Sequence, residues 1–153
     1  MSNNTIKAGS ILFACMIIFL PMGWILISNE PPGAYFEAES SQVQAALKAS
    51  GLNFCTQAES TWQVAGALGG SSVLVSDDCS AQVSGKAIYI HTQKFDSVQN
   101  RDAAVRLIQK SIQMNDINGA VYTYGSFVIA VQGPTGGKPI SEVVAQVKSG
   151  LTR

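Results

Sequence analysis

An uncharged stretch of 21 residues near the amino terminus constrains this chain more than any other feature. Residues 8–28 read AGSILFACMIIFLPMGWILIS and contain no Asp, Glu, Lys or Arg. At a rise of about 1.5 Å per residue, roughly 20 apolar residues cross the hydrocarbon core of a bilayer as a helix. A secretory signal peptide has a shorter apolar region and a small-residue cleavage site after it. No such site follows here. The sequence therefore predicts a retained transmembrane helix, with a cleaved signal as the alternative.

The charges that flank this segment predict its orientation in a cell membrane. Lys7 precedes it, whereas three glutamates and no basic residue occur between it and Lys48. Basic residues favour the cytoplasmic side of a membrane helix. We therefore expect a single-pass protein with a cytoplasmic tail over residues 1–7 and a short spacer, stiffened by NEPPG, over residues 29–39. An extracytoplasmic domain is expected over residues 40–153.

Three residues inside the predicted span indicate how it contacts the lipid bilayer. Pro21 removes one backbone donor and predicts a kink. Gly23 allows close packing against a partner helix. An isolated, kinked anchor explains Pro21 and Gly23 equally well. Trp24, near the outer end, suits the membrane interface.

Two of the three cysteines fall in the domain that is predicted to lie outside the membrane. Extracytoplasmic compartments favour disulfides, and Cys55 and Cys79 allow one internal pairing. Their spacing is far from C-x-x-C, which argues against a redox-active role. Alternation over residues 52–64 puts Cys55 on the polar face of a half-buried strand. We therefore expect the bridge only if its partner approaches that face or the strand bulges.

Hydrophobic periodicity predicts an α+β fold after the anchor, in the order α-β-β-β-α-β-β-α. About three helices are expected: one capped by Ser40 or Ser41, one capped by Asp96 with Gln99 in a capping box, and one that Pro139 opens. In the second helix Arg101 is assigned to the solvent side. Strands are expected at residues 52–64, 71–76, 86–95, 120–124 and 127–132. Adjacent short strands favour a small, mostly antiparallel sheet with its helices on one face.

The residue types argue against catalysis and against nucleic acid as a partner. Ten basic and ten acidic residues leave no formal net charge, so the electrostatic footprint of a nucleic-acid-binding protein is missing. GPTGGKP at residues 133–139 looks like part of a phosphate-binding loop. Gln132, however, stands where a Walker A loop has its first glycine, and Pro139 stands where it has Ser or Thr. His91 is the only histidine, and no ligand spacing supports a metal site. We predict a protein that is not an enzyme and needs no cofactor or metal.

Two features suggest where another protein can dock. Tyr122, Tyr124 and Phe127 surround a predicted hairpin turn, where exposed aromatic rings can anchor a partner; core packing is the alternative. The strand over residues 52–64 is the second candidate, as an edge open to strand addition.

Three functional hypotheses follow. The first is a noncatalytic, membrane-anchored protein whose outer domain binds other proteins, for example as an accessory subunit of a larger membrane complex. The second is a binding or sensor domain for a small extracytoplasmic ligand, which requires a concave pocket with convergent polar groups. The third is a filament subunit, because Lys7-Ala8-Gly9 before the apolar run resembles a pilin leader-peptidase site. Pro31-Pro32-Gly33, however, interrupts the helix that pilins continue into the head.

Overall fold

The computed structural model describes residues 31–77, 79, 87–135 and 138–152. Three helices and five strands follow one another in the predicted order, which confirms the α+β class. They are α1 (Ser40–Ala49), β1 (Phe54–Ser60), β2 (Ala67–Val75), β3 (Ile88–Phe95), α2 (Val98–Met114), β4 (Gly119–Tyr124), β5 (Phe127–Gln132) and α3 (Ile140–Leu151).

The predicted membrane anchor over residues 8–28, with Pro21, Gly23 and Trp24, lies outside the described residues. Within the described part of the chain, no helix has the length and apolar character needed to cross a bilayer.

The five strands form one antiparallel sheet in the order β1-β2-β3-β5-β4. The β4–β5 hairpin therefore joins the sheet through β5, and β1 and β4 occupy its two edges. Antiparallel pairing was expected, because short strands follow one another along the chain.

Helices cover both faces of this sheet, so the prediction of helices on one face is wrong. Val43 of α1 and Val143 of α3 pack with Ile129 on one face, and Val105 of α2 packs with Val128 on the other. The physical reason is that the central strands are apolar on both sides. Successive residues of a strand point to opposite faces, and Val128 and Ile129 are both fully buried.

Several boundaries differ from those expected from the sequence. Ser97, not Asp96, caps α2, because the Ser97 side chain accepts from the backbone N–H of Asn100. Glu39 precedes α1 as its cap, in a capping box with Gln42. The predicted strand over residues 52–64 shortens to β1, whereas β2 extends back to Ala67 through glycines that were expected to form a turn.

The described part of the segment expected to be a spacer, residues 31–39, packs against the domain. Ala38 is completely buried, and its N–H donates to Ser126 Oγ at 3.2 Å. Gly33 N donates to Thr123 Oγ1 at 2.7 Å, and the ring of Phe36 packs edge-on against that of Tyr124. Residues between Gly33 and Ala38 therefore contact the folded domain.

Candidate interaction site

Strand β1 forms the exposed edge of the sheet. It pairs with β2 on one side and, among the described residues, with no strand on the other. The residues from Thr56 to Glu59 are all exposed. The opposite edge differs, since β4 contributes three consecutive buried residues, Ala120–Tyr122. The edge that was expected from the sequence at residues 52–64 is thus present over the shorter span of β1.

The backbone polar groups of Gln57 and Glu59 point away from the sheet. Ser71, which faces Glu59 in the ladder, donates its backbone N–H to Thr92 Oγ1 on β3 at 3.2 Å. Positions in an antiparallel pair alternate between hydrogen-bonded and non-hydrogen-bonded. Because Ser71 directs its N–H away from β1, Glu59 occupies a non-hydrogen-bonded position relative to β2, and so does Gln57. The edge therefore presents two sets of N–H and C=O groups that can accept another strand.

Cys55 is the extra residue of a bulge at the start of β1. Phe54 lies opposite Val75 whereas Thr56 lies opposite Leu74, so the register shifts by one residue at Cys55. Strict alternation placed Cys55 on the polar face of the strand, away from a buried partner. Because a bulge changes the direction of the side chain, Cys55 can still form the predicted disulfide. The disulfide between Cys55 and Cys79 is present, with Cα atoms 5.2 Å apart.

The disulfide stabilises the pair of strands that carries the edge. It closes a loop with a sequence separation of 24, which encloses β1 and β2. In the chain-entropy treatment such a loop contributes about 3.5 kcal/mol to stability. The regular part of the edge is the five residues Thr56–Ser60, which follow the bulge.

A cleft of about 680 Å³ opens beside β1, on the sheet face that α1 covers. Its floor includes the buried hydroxyl groups of Ser71 and Thr92, whose oxygens lie 3.0 Å apart. Its walls carry side chains from two elements that flank this floor: Ser40 and Gln44 of α1, and Gln57 and Glu59 of β1. Glu59 is the one charged side chain among the described residues that line it. The cleft is thus rich in amide and hydroxyl groups, with a single carboxylate at its edge.

The aromatic residues of the β4–β5 hairpin serve mainly as core. Tyr122 is 4% exposed and Phe127 is 1% exposed, and both belong to the core beneath α1 and α3. Tyr124 is half-buried, with its ring centroid 5.2 Å from that of Phe36. Tyr122 and Phe127 therefore lack the exposure that a partner contact requires, and core packing, the alternative expected from the sequence, accounts for these two rings.

His91 is half-buried on the face of the sheet that α2 partly covers. Its ring stacks on that of Tyr89, with centroids 6.0 Å apart, and Gln132 Nε2 donates to His91 Nε2 at 3.1 Å. Desolvation by burial lowers the pKa of His91, which favours the neutral ring. The described residues contain no group of three or more His, Cys, Asp or Glu side chains arranged to hold a metal ion.

The loop at residues 133–139 leads into α3. Pro139 directly precedes α3, as the sequence predicted. Lys138 Nζ lies 3.3 Å from Glu142 Oε1, one turn into α3. This lysine is therefore paired with a carboxylate of the helix that follows it. Residues 136 and 137 lie outside the described residues.

Arg101 is the important residue that the sequence analysis missed, because it was assigned to the solvent side of α2. Its side chain is 1% exposed. The guanidinium donates to the carbonyl oxygens of Gly125 at 2.6 Å, Gly33 at 2.9 Å and Ala34 at 3.3 Å, and pairs with Asp102 at 2.8 Å. It thereby attaches the residues that follow the predicted anchor to the hairpin and to α2. A charged residue beside an apolar stripe gives no sequence signal for such a role.

Comparison of the chain with known protein families, with curated proteins and with solved structures finds no match. The features of the described residues that bear on function are the geometry of the β1 edge and the cleft beside it.

Proposed function

We propose that this chain is a noncatalytic, single-pass membrane protein whose extracytoplasmic domain binds another protein by accepting a strand at the β1 edge. The observation that carries the proposal is the regular edge at Thr56–Ser60, which is exposed from Thr56 to Glu59 and has two sets of outward backbone groups. Natural proteins usually block long open edges with proline, lysine or a covering loop. In strand addition, main-chain hydrogen bonds supply affinity and side-chain pockets supply specificity. The cleft beside Gln57 and Glu59 suits the second role.

Two further observations support the membrane-bound setting of the proposal. A disulfide is typical of oxidising, extracytoplasmic compartments, and Cys55 and Cys79 form one. Gly33 is held by Arg101, and only five positions separate it from the end of the predicted anchor at residue 28. Five extended residues span at most about 17 Å. The domain would then be held close to the bilayer, where a membrane-bound partner is within reach.

Proline at position 57 provides a sharp test. Gln57→Pro removes an N–H that points outward, so it should block strand addition while leaving the ladder with β2 intact. The measurement is copurification from native membranes in mild detergent, together with the melting temperature. We expect a stoichiometric partner with the wild type and its loss with Gln57→Pro, at a melting temperature within about 2 °C of the wild type.

Two matched variants complete this test. Gln57→Ala keeps the outward N–H and should retain the partner, whereas Ala58→Pro removes an N–H that bonds to β2 and should destabilise the fold. A wild-type chain that extracts as a monomer with no stoichiometric partner would contradict the proposal, as would a Gln57→Pro variant that retains its partner.

A second candidate function is the binding of a small polar ligand, and the observation that favours it is the cleft of about 680 Å³. A ligand present at 100 times its dissociation constant stabilises a protein by about 2.7 kcal/mol. A thermal-shift screen of small polar and cationic compounds should then find a compound that raises the melting temperature of the wild type but not that of Glu59→Gln.

The filament alternative depends on residues 7–9, which lie outside the described residues; detection of Met1 in the mature protein would exclude it.

A further inference from the structure

We infer that the strand accepted at the β1 edge is β1 of a second copy of this chain. The inference rests on the proposed use of this edge for strand addition, and it names the partner. The directions of the backbone groups and the side chains that each possible register brings together support this pairing.

The backbone of β1 limits how two copies can pair. Only Gln57 and Glu59 direct their N–H and C=O groups outward within the regular part of the edge. Two copies related by a twofold axis pair antiparallel and hydrogen-bond through these residues. Three registers satisfy this condition: Gln57 opposite its own copy, Glu59 opposite its own copy, or Gln57 opposite Glu59.

Side-chain chemistry selects one of these registers. Pairing Gln57 with itself places Glu59 opposite Cys55, at the bulge where the ladder is irregular. Pairing Glu59 with itself places two carboxylates directly opposite each other, which is destabilising. Pairing Gln57 with Glu59 of the second copy avoids both problems. Each amide can then donate to a carboxylate across the interface, and symmetry forms this pair twice.

The selected register also gives complementary neighbours over the rest of the edge. The twofold axis passes between Ala58 and Ala58 of the second copy, whose small side chains allow close approach, and Thr56 lies opposite Ser60. All five residues of the regular edge therefore take part, and no like charges lie opposite each other. The twofold axis is perpendicular to the sheet, so the faces that carry α1 would lie on the same side and the two clefts would adjoin.

A cysteine scan of the full chain in mild detergent tests the register directly. Ala58→Cys, Gln57→Cys and Glu59→Cys are each made with Cys15→Ser, and oxidised dimers are measured on nonreducing gels. Directly opposed residues at a non-hydrogen-bonded position have Cα atoms about 4.5 Å apart, within the range for a disulfide of about 4.4–6.8 Å. Diagonal neighbours are about 7–8 Å apart. We expect Ala58→Cys to give at least about tenfold more dimer than the other two, with Cys55–Cys79 intact by mass spectrometry.

Charge variants at position 57 provide a second readout that does not depend on oxidation. In the selected register Gln57→Lys places an ammonium group opposite Glu59 of the second copy, and Gln57→Glu places a carboxylate there. Since such cross-strand pairs change stability modestly and occur twice here, the dimer dissociation constant should fall about three- to tenfold with lysine and rise by a similar factor with glutamate. Analytical ultracentrifugation in detergent measures both.

The outcomes separate this inference from the proposed function. Dimer formation strongest at Gln57→Cys or Glu59→Cys would overturn the register. A monomeric wild type with no cross-linking at any of the three positions would overturn self-pairing. If a different protein copurifies and is lost with Gln57→Pro while no cross-link forms, strand addition stands and the second copy is excluded as the partner.

Discussion

Replacing Arg101 by methionine should detach the first residues of the domain and lower its stability by about 3 kcal/mol. The guanidinium donates to three backbone carbonyl oxygens, those of Gly33, Ala34 and Gly125. Hydrogen bonds to charged groups contribute about 1.5–3 kcal/mol each. Water can reach Gly33 and Ala34 in the variant because both residues are exposed, but Gly125 is buried. The main cost is therefore the unsatisfied Gly125 carbonyl, together with lost bonds to the other two and the loss of the ion pair with Asp102.

Urea unfolding of the detergent-solubilised protein measures this loss, and limited proteolysis should show new cleavage between residues 31 and 38. Arg106→Met is the matched control, since Arg106 lies on the same helix but is exposed; it should change stability by no more than about 0.5 kcal/mol. If Arg101→Met unfolds within about 1 kcal/mol of the wild type, or if residues 31–38 stay protected from protease, the assignment of Arg101 as the clamp on this segment is wrong.

Three other perturbations give distinct results. Replacing both Cys55 and Cys79 by alanine should cost about 3.5 kcal/mol in urea unfolding; a loss below about 1 kcal/mol would show that the bridge does not constrain the unfolded chain. Burial lowers the pKa of His91, so the unfolded state binds a proton more readily and stability should fall as the pH drops below about 6.5. Melting temperatures from pH 8 to pH 5 should show this decline in the wild type and a shallower one in His91→Gln; parallel curves would contradict the argument. A Cβ added at Gly150 would collide with the carbonyl oxygen of Ala46 on α1, so Gly150→Ala should cost about 1–3 kcal/mol in the same unfolding assay, and a neutral effect would mean that the two helices can move apart.

The elements that the sequence predicted well are those whose signal is local. The stripe in α3 that contains Val143, Val144 and Val147 is buried as expected, because helical periodicity depends only on spacing along one element. Gly51 ends α1 with a positive φ of 74°, a conformation in which glycine is favoured. The cysteine count gave the pairing of Cys55 with Cys79, but only the bulge in β1 shows how Cys55 reaches its partner.

The layer arrangement and the interaction site depended on contacts between distant residues. Alternation predicted a half-buried strand over residues 52–64, but alternation cannot show whether a neighbouring strand pairs on one side or on both. Only the sheet order places β1 at an edge and leaves Gln57 and Glu59 exposed. Tyr122 and Phe127 flank the turn of the β4–β5 hairpin in the sequence, where exposure was considered, but both are buried in the folded domain. Proximity to a turn in the sequence does not show whether a side chain is exposed.

By itself, then, the sequence determined the class of fold and the order of its elements, because these follow from short-range spacing and residue type. The tertiary structure decided which edge is open, that helices cover both faces, and that Arg101 is buried. Each of these depends on backbone groups or charges that lie far apart in the chain; Arg101 and Gly33, for instance, are 68 residues apart. A guanidinium is stable in the interior only where such distant carbonyl oxygens converge on it, and that convergence is a property of the folded chain alone.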